Sequence, residues 1–216
     1  MSETPQTMTR QESTDAMPGW RRILRRMHLT VPTEDFATAL TLVDRIGQVA
    51  EEQQHHPDID LRYGRVHVVT SSHDVGGVTN RDVALGTAVS AIVAEMGLTP
   101  DNARITELEI AIDAMDIPAV LPFWAAVLGW DVADDEVTDP DTIGPNFWFQ
   151  QMDEARPQRN RIHIDVTVPH DEAQARMAKA IEAGGRLVSD AEAPSFWILA
   201  DPEGNEACIC TWQARD

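Results

Sequence analysis

Apolar residues recur along this chain with two periods, near 3.6 and near 2, and the switches between them divide it into elements. Phe36, Leu40, Val43, Ile46 and Ala50 return every three or four residues, which predicts an amphipathic helix. Pro32 precedes it, Thr33 is the expected N-cap, and Glu34 and Asp35 suit the positive end of the helix dipole. Pro57 disfavours helical geometry in the residue before it, so the helix is expected to stop near His56. Residues 20–31, WRRILRRMHLTV, alternate imperfectly and read as a strand or an extended entry segment. Residues 62–71, RYGRVHVVTS, read as a strand with Val66 and Val68 on one side, Val69 and an exposed His67 on the other. Gly76 and Gly77 mark a loop, and Thr79 is positioned to cap a second helix with Asp82 at the capping-box position. Val83, Ala84, Ala88, Val89, Ile92 and Met96 form its stripe, and Gly97 its C-terminal cap.

The connector GLTPDNAR, residues 97–104, is the expected domain boundary. Beyond it ELEIAIDAMD reads as a strand and turn, and IPAVLPFWAAVLG as a helix that accepts Pro118 in its first turn. WDVADDEV and NFWFQQMD read as strands. The order then recurs: RIHIDVTVPH as strand, DEAQARMAKAIEAGG as helix, and RLVSD, SFWILAD and EACICTW as strands. This is an internal repeat of a β-α-β-β type unit, with the first copy either a strand short or holding one too weak to read. The fold class is therefore α+β, in two domains. Two amphipathic helices on a sheet this small leave apolar surface uncovered, so the protein is expected to be a homo-oligomer.

Composition narrows the function. Net charge is −19, with −4 over residues 1–100 and −15 over 101–216, an excess that repels a phosphate backbone and argues against nucleic-acid binding. No apolar run is long enough to span a bilayer, so no membrane partner is expected. The polar stretch MSETPQTMTRQESTDAMPG lacks the apolar core of a secretory signal, and residues 1–17 read as a disordered tail. Cys208 and Cys210, the only cysteines, suit neither a disulfide framework nor a zinc site, which points to a reducing cytoplasm.

The candidate chemistry is concentrated in residues 51–82, which hold four of the seven histidines. Imidazoles exchange protons near neutral pH, so His55, His56 and His73 are candidate acid-base groups. A metal-ligand reading fits poorly, because adjacent helical residues point about 100° apart whereas helical ligand pairs are spaced by four. Asp82 is either an orienting partner for an imidazole or a helix cap. The spacing Glu51, His55-His56-Pro57, Tyr63, His73, Asp82 resembles the signature of the pterin-4a-carbinolamine dehydratases, over about residues 18–98. The resemblance implies loss of water from 4a-hydroxytetrahydrobiopterin to give quinonoid dihydropterin, recycling the cofactor of aromatic amino acid hydroxylases, with no metal or organic cofactor. It implies catalytic roles for His55, His56, His73 and Asp82. It also implies pterin contacts from Glu51, His55, His56, Pro57, Tyr63, Ser72, His73 and Asp74. A non-catalytic pterin-binding or dimerising module is the alternative.

Residues from about 105 to 216 resemble the glyoxalase-like, or vicinal-oxygen-chelate, domain, through Asp116 with FWAAVLGW and through DPEGNEACI. Metal-dependent members place ligands at four positions, which align here with Glu109, Gln150, His163 and Cys208. Only Glu109 and His163 are ordinary ligands for a divalent ion, so no metal is expected, and these two are the weak candidates. Phe123, Trp124, Trp148 and Trp197 are expected in the core, and a second small-molecule ligand or a separate glyoxalase-like activity is the open alternative. The expected organisation is a tail over 1–17, a dehydratase-like two-layer domain over 18–98, a linker over 99–104 and a glyoxalase-like domain over 105–216.

Overall fold

The computed structural model describes residues 6–155, 162 and 164–214. The chain divides into two compact units, Met1–Glu107 and Leu108–Asp216. Among the described residues no helix is long and apolar enough to cross a membrane.

In the first unit the expected tail contains a helix, α1 (Arg10–Ala16), opened by a capping box between Thr9 and Glu12. Met17 and Trp20, just beyond it, are 3% and 2% exposed and belong to the core. The polar composition of residues 1–17 conceals Met17 as an anchor, while Trp20 lies just beyond that stretch, which is why the stretch reads as disordered. Gly86 makes room for them, since a Cβ there would stand 2.1 Å from the Met17 Cε. The segment 20–31 is not one strand but a hairpin, β1 (Arg21–Ile23) and β2 (Arg26–Pro32), turning at Leu24 with φ +49°. That turn breaks the alternation. α2 (Phe36–Gln53) starts later than expected, with Asp35 as N-cap accepting from Thr38 N–H at 2.7 Å. Thr33, whose N–H bonds the Gly64 carbonyl, still runs with the sheet two residues before the N-cap, and Asp35 supplies the capping oxygen in its place.

β3 (Asp58–Arg62) and β4 (Arg65–Thr70) follow, and a 3₁₀ turn (His73–Val75) leads to α3 (Asn80–Glu95). The sheet order is β1-β2-β4-β3, antiparallel throughout. One sheet face carries Met27, Leu29, Val31, Val66 and Val68 against Ala39, Leu42 and Ile46 of α2 and Leu85, Val89 and Ile92 of α3. The α2 stripe is rotated from the expected one: Phe36 and Leu40 are 46% and 53% exposed, and the smaller Ala39 lies beneath instead. Gly97, at φ +68°, follows α3 as its left-handed cap. The expected linker is not slack. Asp101 N–H donates to the Thr30 carbonyl and Asn102 Oδ1 accepts from Thr30 N–H, continuing the place of β1 along the edge of β2.

The second unit is a repeat of two βαβββ units. The first comprises β5 (Glu109–Ala114), α4 (Ile117–Leu128), β6 (Asp131–Ala133), β7 (Glu136–Thr138) and β8 (Asn146–Gln151). The second comprises β9 (Asp165–Thr167), α5 (Ala173–Glu182), β10 (Arg186–Ser189), β11 (Phe196–Ala200) and β12 (Glu206–Cys210). Their sheets run β5-β8-β7-β6 and β10-β11-β12-β9, with β5–β8 and β12–β9 parallel. The strand missing from the sequence reading is found in WDVADDEV, which folds as the short β6–β7 hairpin through Asp134 at φ +55°. Phe123, Trp124 and Trp197 are core residues, whereas Trp148 is only half-buried.

Candidate active site

The end of α2 and the start of α3 bring His55 and Asp82 of the motif together. Gln54 takes the left-handed conformation, its N–H bonding to the Glu51 carbonyl, while His55 N–H returns to the Ala50 carbonyl at 3.1 Å. These are the two bonds of a Schellman motif, and they turn His55 back under the helix instead of extending it to His56 as expected. Across the fold, Asp82 is the third residue of α3. Its Oδ2 accepts from Thr79 N–H at 2.8 Å, closing the capping box, and from Ser72 Oγ at 2.8 Å. Its Oδ1 accepts from Thr70 Oγ1 at 2.6 Å and lies 2.8 Å from His55 Nε2. Asp82 is fully buried and His55 is 7% exposed. The two readings of Asp82, cap and imidazole partner, hold at once.

Burial alone would push the Asp82 carboxyl up. The bonds from Thr70, His55, Thr79 and Ser72 together outweigh it and hold the carboxyl below its ordinary value. Asp82 is thus an anion at neutral pH and can only accept, so His55 carries its proton on Nε2 and leaves Nδ1 to exchange protons. A fixed carboxylate behind an imidazole both sets the tautomer and stabilises the imidazolium.

The other motif residues lie closer to solvent. His56 Nε2 stands 3.0 Å from Glu51 Oε1, both side chains well exposed. They border an open groove of about 620 Å³, with Asp44 and Gln48 of α2 and Pro57 and Ile59 on its other sides. His73 and Asp74 lie in the exposed 3₁₀ turn, whose ends are joined by the Ser72–Gly77 bridge. Arg81 pairs with Asp74 and holds its carboxyl low, and His55 adds a smaller pull. Among the described residues no hydrogen bond joins His73 to His55 or His56. Tyr63 is 75% exposed in the β3–β4 turn. That is the far end of β4 from Thr70, roughly 17 Å away at 3.3 Å per residue, so one chain does not bring it to this site. Thr70 and Thr79 were not among the expected site residues. Thr70 was detectable, being a polar side chain on the strand face of Val66 and Val68.

In the second unit Glu109 pairs in register with Asn146, and Gln150 with Asp113, so the two proposed ligands stand four residues apart along the sheet, about 13 Å. Cys208 is buried, and burial, then a hydrogen bond with Asp165, push its thiol up to about 12, a poor thiolate ligand. His163 lies outside the described residues. Among the described residues no three His, Cys, Asp or Glu side chains gather as a metal site would require.

Comparison with known proteins identifies the family of each unit. Residues 4–92 match the family model Pterin 4 alpha carbinolamine dehydratase, and residues 109–210 match that of a glyoxalase-like domain. A protein of Thermomicrobium roseum, provisionally named pterin-4-alpha-carbinolamine dehydratase, is 38% identical over 36% of this chain and 84% of its own. A protein of Nocardia farcinica with the same provisional name is 40% identical over 35% of this chain and 80% of its own. A solved structure described as a transcriptional coactivator/pterin dehydratase from Brucella melitensis is 27% identical, covering 40% of this chain and 98% of that one, with a TM-score of 0.39. The chain belongs to the pterin-4a-carbinolamine dehydratase family through its first unit, and carries a glyoxalase-like domain as its second.

Proposed function

We propose that this chain dehydrates a pterin 4a-carbinolamine, 4a-hydroxytetrahydrobiopterin, to quinonoid dihydropterin. The buried His55–Asp82 pair, in the midst of the family's histidine motif, is the observation that carries this reading. The reaction breaks the C4a–O bond, adds a proton to the departing hydroxyl, removes one from the neighbouring ring N–H and forms C=N. One proton enters and one leaves, so two histidines in opposite protonation states suffice and neither metal nor redox partner is required. His55, backed by the Asp82 anion, takes the ring proton at Nδ1. His56, beside Glu51 on the groove, supplies the proton that leaves with water. Removing 4a-hydroxypterin in this way would return the cofactor of an aromatic amino acid hydroxylase.

A stopped-flow assay of carbinolamine decay tests the proposal. His55→Ala should abolish the enzymatic phase while leaving pterin binding measurable. Pterin binding without turnover in the unaltered protein would instead favour a binding module.

A further inference from the structure

The sheet face of the first unit that points away from α2 and α3 is polar, and its polar residues are aligned by register. Asp60, His67 and Thr30 form one row across β3, β4 and β2, and Arg62, Arg65 and Pro32 form the next. Thr30 Oγ1 lies 2.8 Å from His67 Nδ1, and His67 Nε2 lies 3.3 Å from Nδ1 of the buried His28. This row is therefore a fixed wall. The segment 101–106, tied to the edge of β2 at Asp101 and Asn102, forms the other wall with Arg104 and Thr106. Between the two walls is a cavity of about 280 Å³.

The charges there are unevenly used. Asp60 is engaged by Arg62 at 2.6 Å, and Arg65 reaches it only at 3.9 Å. Asp101 accepts from Ala103 N–H at 3.0 Å. Among the described residues Arg104 has no carboxylate within ion-pair distance. Two guanidinium groups thus border a concave space that also holds the hydroxyls of Thr30 and Thr106, the His67 ring and the two engaged carboxylates of Asp60 and Asp101, in a chain whose net charge is −19. Guanidinium forks match planar or tetrahedral oxyanions in two-point contact. We infer that this cavity is a second ligand site, in which Arg65 and Arg104 hold the carboxylate or phosphate of a compact small molecule. The volume lies just below the range of ordinary small-molecule pockets, so the ligand is small. The site is on the opposite sheet face from His55 and does not depend on the dehydratase reading.

The test uses the full chain and two probes, inorganic phosphate and succinate, each titrated against chloride at matched ionic strength. Arginine Nε–H and histidine ring signals are followed by NMR. The expected result is saturable displacement of the Arg65, Arg104 and His67 signals by at least one probe. Arg65→Ala and Arg104→Ala should each weaken it about tenfold or more, as loss of a charged hydrogen-bond pair does. Arg45→Ala, on α2 and away from the cavity, should leave it unchanged. Response to phosphate alone assigns a phosphate ligand, and response to succinate alone a carboxylate. Linear, non-saturating shifts with both probes, or equal affinity in folded Arg104→Ala protein, would overturn the site. Carbinolamine dehydration should be unaltered in both arginine variants.

Discussion

Nε2 of His55 and Oδ1 of Asp82 are 2.8 Å apart although 27 residues separate them in the chain, and both side chains are buried. The bond spans from the end of α2 to the start of α3. His55→Ala is expected to lower kcat/KM for carbinolamine dehydration by about 100-fold or more, the usual contribution of a positioned acid-base group. His56→Ala should do the same, with less effect on stability because its side chain is exposed. Wild-type rates in both variants would remove the histidines from the mechanism.

Asp82 separates chemistry from folding. Asp82→Ala strands four buried donors and should destabilise the first unit by about 3 kcal/mol or more. Asp82→Asn keeps an acceptor for the cap, so it should melt between the wild type and the Ala variant. The two variants should be similarly inactive, because Asn presents its amide in place of an anion to His55. Chemical denaturation beside the stopped-flow assay measures both effects.

His28 gives the first unit a pH dependence of known sign. Burial, then the neighbouring His67 and Arg26, lower its pKa to about 4. A histidine depressed in the folded state favours the neutral form, so its share of stability is complete above the ordinary value near 6.5. It is lost as pH falls from there towards 4. The slope approaches about 1.4 kcal/mol per pH unit within that window. His28→Gln should flatten the fall in urea midpoint between pH 6.5 and 4. An unchanged profile would show that His28 does not govern it.

The segment after Gly97 is tied to the edge of the first unit's sheet, so where a fragment ends should matter. Residues 1–107 keep the Asp101 and Asn102 bonds to Thr30, the Asn102 bond to the Gly19 carbonyl and the Arg26–Glu107 pair at 2.8 Å. Residues 1–100 lose all of them. The longer fragment should be more stable by about 2–4 kcal/mol, on the basis of roughly 1 kcal/mol per hydrogen bond. Equal melting of the two would refute the strapped edge.

In the second unit Gly185 has no spare room. A Cβ there would meet Phe123 ring carbons at 2.3 Å and 2.4 Å and the Ala180 carbonyl at 2.8 Å. Phe123 is fully buried and the carbonyl is backbone, so neither yields cheaply. Gly185→Ala should destabilise this unit by about 1–3 kcal/mol, the usual penalty for overpacking, without altering carbinolamine dehydration. Unchanged thermal unfolding would contradict this.

The fold class and the motif were legible because they rest on periodicity and spacing. Ile46 and Ala50 kept their place on the buried face of α2, and Gly97 its cap. Boundaries were not legible where a tertiary bond competed with local preference. Thr33 looks like a cap until its bond to Gly64 keeps it with the sheet and the cap falls two residues later at Asp35, and His55 looks helical until Gln54 turns left-handed. Short hairpins were hidden for a similar reason: the turns at Leu24 and Asp134 use positive φ without glycine to announce it. At the site, the histidines and Asp82 could be read from spacing. Their separation into a buried pair and an exposed rim could not, because burial depends on which faces the sheet brings together.

The carboxylate of Asp82 serves as the first rivet of α3 and as the counterion of His55. Truncating this side chain therefore removes the helix start together with the imidazole's partner. The exposed side chains of His56 and His73 carry no such double duty, so the fold can spare them.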